Sequence, residues 1–435
     1  MLKKEFVQTS VNKFFLYFFI LTVLSNCSIG KKDIVEEDNK AIDIFKKDDP
    51  IKKELNTNLI IHLKKLTKGE PFLRNDTNNI GNINFETNFK KIDSYKFSTI
   101  DQYEFTQPEL IFTDDKGIIF FDGKGAIFKI NEDLKKIWKV NHYSKKEKKL
   151  EPILYFAQNG QNLIVTDTLS KLYSLNLING DMIWSKDSFS PFNSNIKIFE
   201  DRFMAVDFDN VIRCFSIKDG KELWKFETEN SFIKSQKKLS LVLKNNIIYF
   251  VNSLGDITAL NVNDGSLVWQ TPTQSSVIFQ NAFSLENSDL VYANNSIYFS
   301  NNRNELFSIE ARSGVVKWKQ TVNSNLRPII IENLIFSVSE EGYLFVIEDQ
   351  SGNIVRATNA LSDIKDKKNR VKPSGFIIAK NKIYLSLNNG RLLLIDIATG
   401  KQENIFKLHG SKISEPYIFN GNMYLIKNKA IIKTN

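Results

Sequence analysis

From residue 117 onward the chain repeats one arrangement of apolar and polar positions: an alternating run, a polar turn, a second alternating run, a glycine turn, then a run carrying tryptophan. The clearest copy runs through Ile247 to Val251, Asn252 to Gly255, Asp256 to Val262, Asn263 to Gly265 and Ser266 to Trp269. Alternation at a period of two, cut by Gly and Asn turns, predicts hairpins of half-buried strands and not amphipathic helices. All five tryptophans, Trp138, Trp184, Trp224, Trp269 and Trp318, fall 46, 40, 45 and 49 residues apart. A strand-built period near 45 residues predicts the blades of a propeller.

The register within the unit is fixed as well. Gly180, Gly220, Gly265 and Gly314 each stand four residues before a Trp. A glycine closing a hairpin supplies positive φ without steric cost, so the Trp points the same way in every copy. Weaker copies follow at 334–356 with Gly352, at 382–406 with Gly400, and as a truncated pair at 423–433; upstream, the run to Trp138 has Leu134 in place of the glycine. The count predicts an all-β, eight-bladed β-propeller. The last unit holds only two strands, whereas Ile83 to Ile92 alternates without partners of its own. Closing the ring with an amino-terminal strand leaves few exposed edges, so 82–92 is expected to complete the final blade.

Composition agrees with a globular chain: 42% hydrophobic, 25% charged, two cysteines in 435 residues. These values exclude a disordered chain and a disulfide scaffold. The net charge of +9 comes from scattered lysines with no basic block, and does not imply nucleic acid. At the amino terminus Lys3, Lys4 and Lys13 precede the apolar run Phe14 to Leu24. That run is shorter than the ~20 residues of a spanning helix and reads as a secretory signal. Leu24-Ser25-Asn26-Cys27 resembles a bacterial lipobox, with Asn26 where Gly, Ala or Ser is usual. The resemblance implies an acylated, palmitate-bearing Cys27, and Ser28 after it implies outer-membrane sorting; an uncleaved anchor or a plain secreted protein is the alternative. Residues 31–58 carry charges of both signs and little apolar content, the composition of a tether. The expected organisation is a signal peptide at 1–26, a lipidated, largely flexible tether at 27–81 and a propeller at 82–435.

The segment Ala259 to Trp269 resembles the repeat of PQQ-like, or quinoprotein, propellers, Ala-x-Asp-x-x-Thr-Gly-x-x-x-Trp, and Leu394 to Gly400 matches its middle, with Asn404 at the Trp position. Relatives with that repeat include PQQ-dependent dehydrogenases, but this chain lacks the adjacent cysteines of the alcohol-oxidising class and has only His62, His142 and His409. A catalytic role, a cofactor and a metal are therefore not expected. Cys214 lies in an alternating run and reads as a buried strand residue. Asp207-Phe-Asp209-Asn210 lacks the glycine and distal glutamate of a calcium loop, Gly123-Lys-Gly125 lacks the third glycine of a dinucleotide site, and His62 lacks a second ligand at helical spacing.

A lipobox, a tether and an eight-bladed PQQ-like propeller together resemble the BamB family, lipoproteins of the outer-membrane β-barrel assembly (BAM) machinery. The resemblance implies a non-enzymatic, periplasm-facing scaffold that binds the POTRA domains of BamA and assists insertion of outer-membrane β-barrels. Another periplasmic PQQ-like binding propeller, or a PQQ-dependent dehydrogenase, is the alternative. The longest mid-chain connection, 270–290, carries Phe283 and Leu285 outside the strand pattern, and the next one offers Arg327. Apolar and arginine side chains in exposed loops are candidates for partner binding, so these three are the expected interface.

Overall fold

The computed structural model describes residues 49–68, 76–97, 109–230, 234–235, 237–273, 285–365 and 370–435, all within one compact unit at 47–435. The signal segment, Cys27 and Phe283 lie outside the described residues. Eight sheets form from them, one for each sequence unit. Blades 1 to 7 occupy 111–140, 154–187, 197–227, 241–271, 291–320, 329–359 and 373–407, each an antiparallel meander paired in chain order. The first strands are largely buried and touch the first strands of neighbouring blades, as Lys197–Phe199 does with Leu241–Lys244, so they line the axis. Fourth strands such as Met182–Asp187 are exposed and form the rim.

Apolar side chains pack chiefly between sheets. Tyr249, Val251 and Trp269 of blade 4 share one core with Ile297, Phe299 and Phe307 of blade 5. Each such fully buried large side chain contributes about 1.5–3 kcal/mol. The alternation read from the sequence thus serves two blade-to-blade interfaces, one on each face of a sheet.

Closure differs from the expected register. Blade 8 combines Tyr417–Phe419, Asn422–Lys427 and Ala430–Thr434 with Ile92–Lys96, which pairs antiparallel to the last strand from Ile92 opposite Thr434 to Lys96 opposite Ala430. The closing strand is therefore 92–96 and not 82–92. Ile83, Phe85 and Phe89 are buried against blade 7 instead, with the Phe89 ring 4.0 Å from that of Phe406. The closing-strand reading of 82–92 could not say that these residues cover a neighbouring blade without forming a long ladder.

The described part of the expected 27–81 tether, 49–68 and 76–81, is held to the propeller. Residues 49–68 are strapped across blades 6 and 7: Leu55 exchanges backbone hydrogen bonds with Ala357, and Ile61 donates to the Ala398 carbonyl at 2.9 Å. Residues 76–83 then cross the channel. The Leu243 amide donates to the Asp76 carbonyl and Tyr292 to Thr77, Asn79 exchanges bonds with Ile330, and Asn82–Ile83 pairs in parallel with the end of Pro373–Ala379. Backbone and asparagine hydrogen bonds hold this polar stretch, which apolar content alone would have left loose.

Candidate functional site

The tryptophans show how the ring is built. In every case the indole Nε1 donates to a carbonyl of the next blade: Trp138 to Leu177, Trp184 to Ile217, Trp224 to Val262, Trp269 to Ala311 and Trp318 to Asp349, at 2.8–3.1 Å. The ring lies against the next blade's hairpin glycine. A Cβ on Gly220, Gly265 or Gly314 would stand 2.6 Å from the indole of Trp184, Trp224 or Trp269, and one on Gly180 3.1 Å from Trp138. All four glycines have positive φ. Gly is required here twice, for conformation and for space.

Two further repeat positions escaped the sequence reading. Arg356 stands four residues after Gly352, where a Trp is expected, and is fully buried. Its guanidinium performs the same docking on blade 7, donating to the carbonyls of Ile397 and Ala398, and it also reaches Leu59 of the strap. The spacing alone could have found it. The second is an Asx turn. Asp122, Asp167, Asp207 and Asn252 each accept two backbone amides through Oδ1, capping the hairpin between the second and third strands. Asp207 thus serves a turn, and Arg213 pairs with its other oxygen at 2.9 Å.

The channel has two unlike ends. At the mouth where the first strands begin, Glu109, Lys237, Lys238, Asp289, Arg327 and Glu415 converge around a cavity of about 30 Å³. Lys238 pairs with Glu109 and lies 3.8 Å from Asp289, Arg327 pairs with Glu415 at 2.9 Å, and Lys237 donates to the Asn325 carbonyl. Burial pulls Lys237 and Lys238 below the usual lysine range. It also opposes ionisation of Asp289, but Lys238, Lys237, Arg327 and Lys197 outweigh it and hold that carboxyl low. Toward the other end, where 76–83 crosses, Lys197 donates to Asn78 Oδ1 at 2.6 Å.

Burial pulls Lys197 down to about 8. An unfolded lysine keeps its proton to about 10.4, so between these values the unfolded chain binds more protons and stability rises with pH. The stability advantage of wild type over Lys197→Met is expected to grow from pH 8 to pH 10, as measured by urea unfolding at each pH. Parallel pH profiles for the two proteins would contradict the burial of this charge.

Of the expected interface residues, Leu285 and Arg327 are buried and not on loop tips. Arg327 lines the channel mouth, where the Glu415 carboxylate compensates it, and Leu285 is 3% exposed, so neither is the exposed loop contact expected of it. The exposed aromatic is elsewhere. Phe189, between blades 2 and 3, is 91% exposed and stands between two grooves that share Arg213, one lined by Asp209, Lys225 and Glu227, the other by Lys186, Asp219 and Glu222. No repeat position or motif marked it. Cys214 is fully buried and its thiol is pushed up to about 12 by burial, which leaves it no nucleophile. Among the described residues no cluster of His, Cys, Asp or Glu could hold a metal ion.

Comparison with known proteins agrees with the repeat. Similar solved structures include BamB from Moraxella catarrhalis, 15% identical with a TM-score of 0.60, covering 76% of this chain and 99% of that one. They also include a quinohemoprotein alcohol dehydrogenase from Comamonas testosteroni, 9% identical with a TM-score of 0.64, covering 84% and 80%. A computationally designed protein, Ika8, is 11% identical with a TM-score of 0.57, covering 78% and 100%. At these identities the likeness is one of fold. The cavity of about 30 Å³ at the channel mouth has room for one or two waters and not for a quinone. No curated protein matches the chain. The family model for the outer membrane protein assembly factor BamB matches residues 123–358, more than half of the sequence, and the chain belongs to that family.

Proposed function

We propose that the protein is a non-enzymatic scaffold of the β-barrel assembly complex, anchored to the outer membrane through Cys27, facing the periplasm and binding the POTRA domains of BamA. The observation that carries the reading is the family match over blades 1 to 6, joined to a channel mouth filled by ion pairs. A rigid ring with polar connections presents surfaces without supplying chemistry. Phe189 is the anchor we assign to the interface, since a protruding aromatic flanked by charged grooves has the composition of a binding hot spot.

Phe189→Ala is expected to weaken binding of BamA POTRA domains by ~2 kcal/mol, about 30-fold in Kd, while leaving the melting temperature unchanged. Calorimetric titration of the folded proteins measures this. Absence of binding by wild type would reject the scaffold reading; unchanged binding by the variant would reject only this surface. For the anchor, Cys27→Ala is expected to abolish palmitate labelling and leave an unprocessed or unlipidated species; labelling that persists would reject it.

A further inference from the structure

The strap at 49–68 has two faces. Ile51, Ile61 and Leu63 pack against the propeller, Ile51 near Tyr298 and Phe345, the other two against the core around Ile329 and Tyr384. On the other side Leu55, Leu59, Ile60 and Leu66 are 42–55% exposed. Around them Lys52, Lys53, Lys64, Lys65 and Lys68 are exposed too. Against these five lysines, 49–68 holds two carboxylates, Asp49 and Glu54, and Glu54 accepts the Asn359 amide at 3.0 Å. Glu332 lies beneath, accepting the amides of Lys64 and Lys65.

We propose that this strap is an interfacial contact for an anionic lipid bilayer. Apolar side chains that enter the headgroup region, with lysines reaching lipid phosphates, are the chemistry of membrane-surface segments. Of the exposed apolar pairs on the rim, Met182-Ile183 and Val315-Val316 have charges of both signs beside them in sequence, and Leu267-Val268 has Asp264 and no nearby lysine, so none of them has a surround of lysines. A folded protein is the poorer occupant, because the cores of protein interfaces are depleted in lysine. The strap backbone is already fixed by its bonds to Ala357, Arg356, Ala398 and Glu332, so docking orders little more of it. The contact requires neither lipidation nor BamA.

The test uses the full chain carrying Cys27→Ser and Ile60→Cys, spin-labelled at position 60; Cys214 is buried and does not react. On vesicles of phosphatidylglycerol and phosphatidylethanolamine, the label at 60 is expected to become accessible to oxygen and shielded from a nickel chelate. A label at Val315→Cys on the rim should stay aqueous. Replacing Lys52, Lys53, Lys64 and Lys65 by Gln should lower partitioning about fivefold per lysine, equivalent to about 1 kcal/mol each, and return the label to water. A label at 60 as aqueous as that at 315 on vesicle-bound protein would overturn the proposal. So would shielding that arises only when a protein partner is added. Titration with BamA is a separate readout, so failure of the scaffold reading and failure of the lipid contact can be told apart.

Discussion

Trp269→Ala is expected to destabilise the propeller by about 3–5 kcal/mol, the range for removing a large buried aromatic and leaving a cavity. Trp269 is nearly fully buried, stacks over Gly314, lies 5.8 Å from the Tyr249 ring and donates to the Ala311 carbonyl at 2.9 Å. Tyr249 also donates to that carbonyl, at 3.2 Å. Trp269→Phe therefore leaves the acceptor partly served and should cost only about 1 kcal/mol beyond the lost ring area. Gly314→Ala is expected to damage the same contact from the other blade, because its φ is +77° and a Cβ would meet the indole at 2.6 Å. Trp184, Trp224 and Trp318 are half-buried, so their alanine variants should cost less than Trp269→Ala or Trp138→Ala. Guanidinium chloride unfolding would establish the order; equal small losses at all five positions would contradict docking between blades.

The contrast between Trp269 and Arg356 shows how far the sequence could be read. The Gly-to-Trp spacing exposed four docking positions, and the tryptophan period a fifth at Trp138, because tryptophan is rare and its turn glycine is sterically required. At blade 6 the geometry persists with a different side chain, which a search for tryptophan passes over although Gly352 keeps the spacing. Guanidinium and indole share what the position needs, a flat group with an N–H aimed at the carbonyl of the next blade. The channel mouth was less legible. Glu109, Lys238, Asp289, Arg327 and Glu415 are far apart in sequence, and each alone looks like a solvated loop residue. Only ring closure brings them together, and with them the burial of Arg327 that a loop reading could not foresee. The strap was missed for a related reason: its attachment rests on backbone hydrogen bonds and three apolar side chains, a pattern too short to raise the mean apolar content of a charged segment.

Deleting residues 92–97 is expected to have the largest effect on the ring, because it removes the outer strand of blade 8 and the seam to blade 1 together. Ile92–Lys96 pairs along the whole of Ala430–Thr434, and without it that strand becomes an open edge. Tyr95 and Phe97 also cover Phe120 and Phe128 of blade 1, with ring centroids 5.0–6.5 Å apart. Aromatic contacts here do what the tryptophans do elsewhere, since blade 8 carries no Trp. Losing the ladder and two aromatic side chains should cost ~5 kcal/mol or more and expose a sticky edge beside an apolar patch. The deleted protein is expected to melt at lower temperature, to lose cooperativity and to elute partly as oligomers. A synthetic peptide of residues 90–97 should restore part of the melting temperature by adding itself as the missing strand. A peptide with the same composition in scrambled order should not. An unchanged melting curve for the deletion would mean that the seam between blades 8 and 1 closes without this strand, and rescue by the scrambled peptide would mean that the seam has no register.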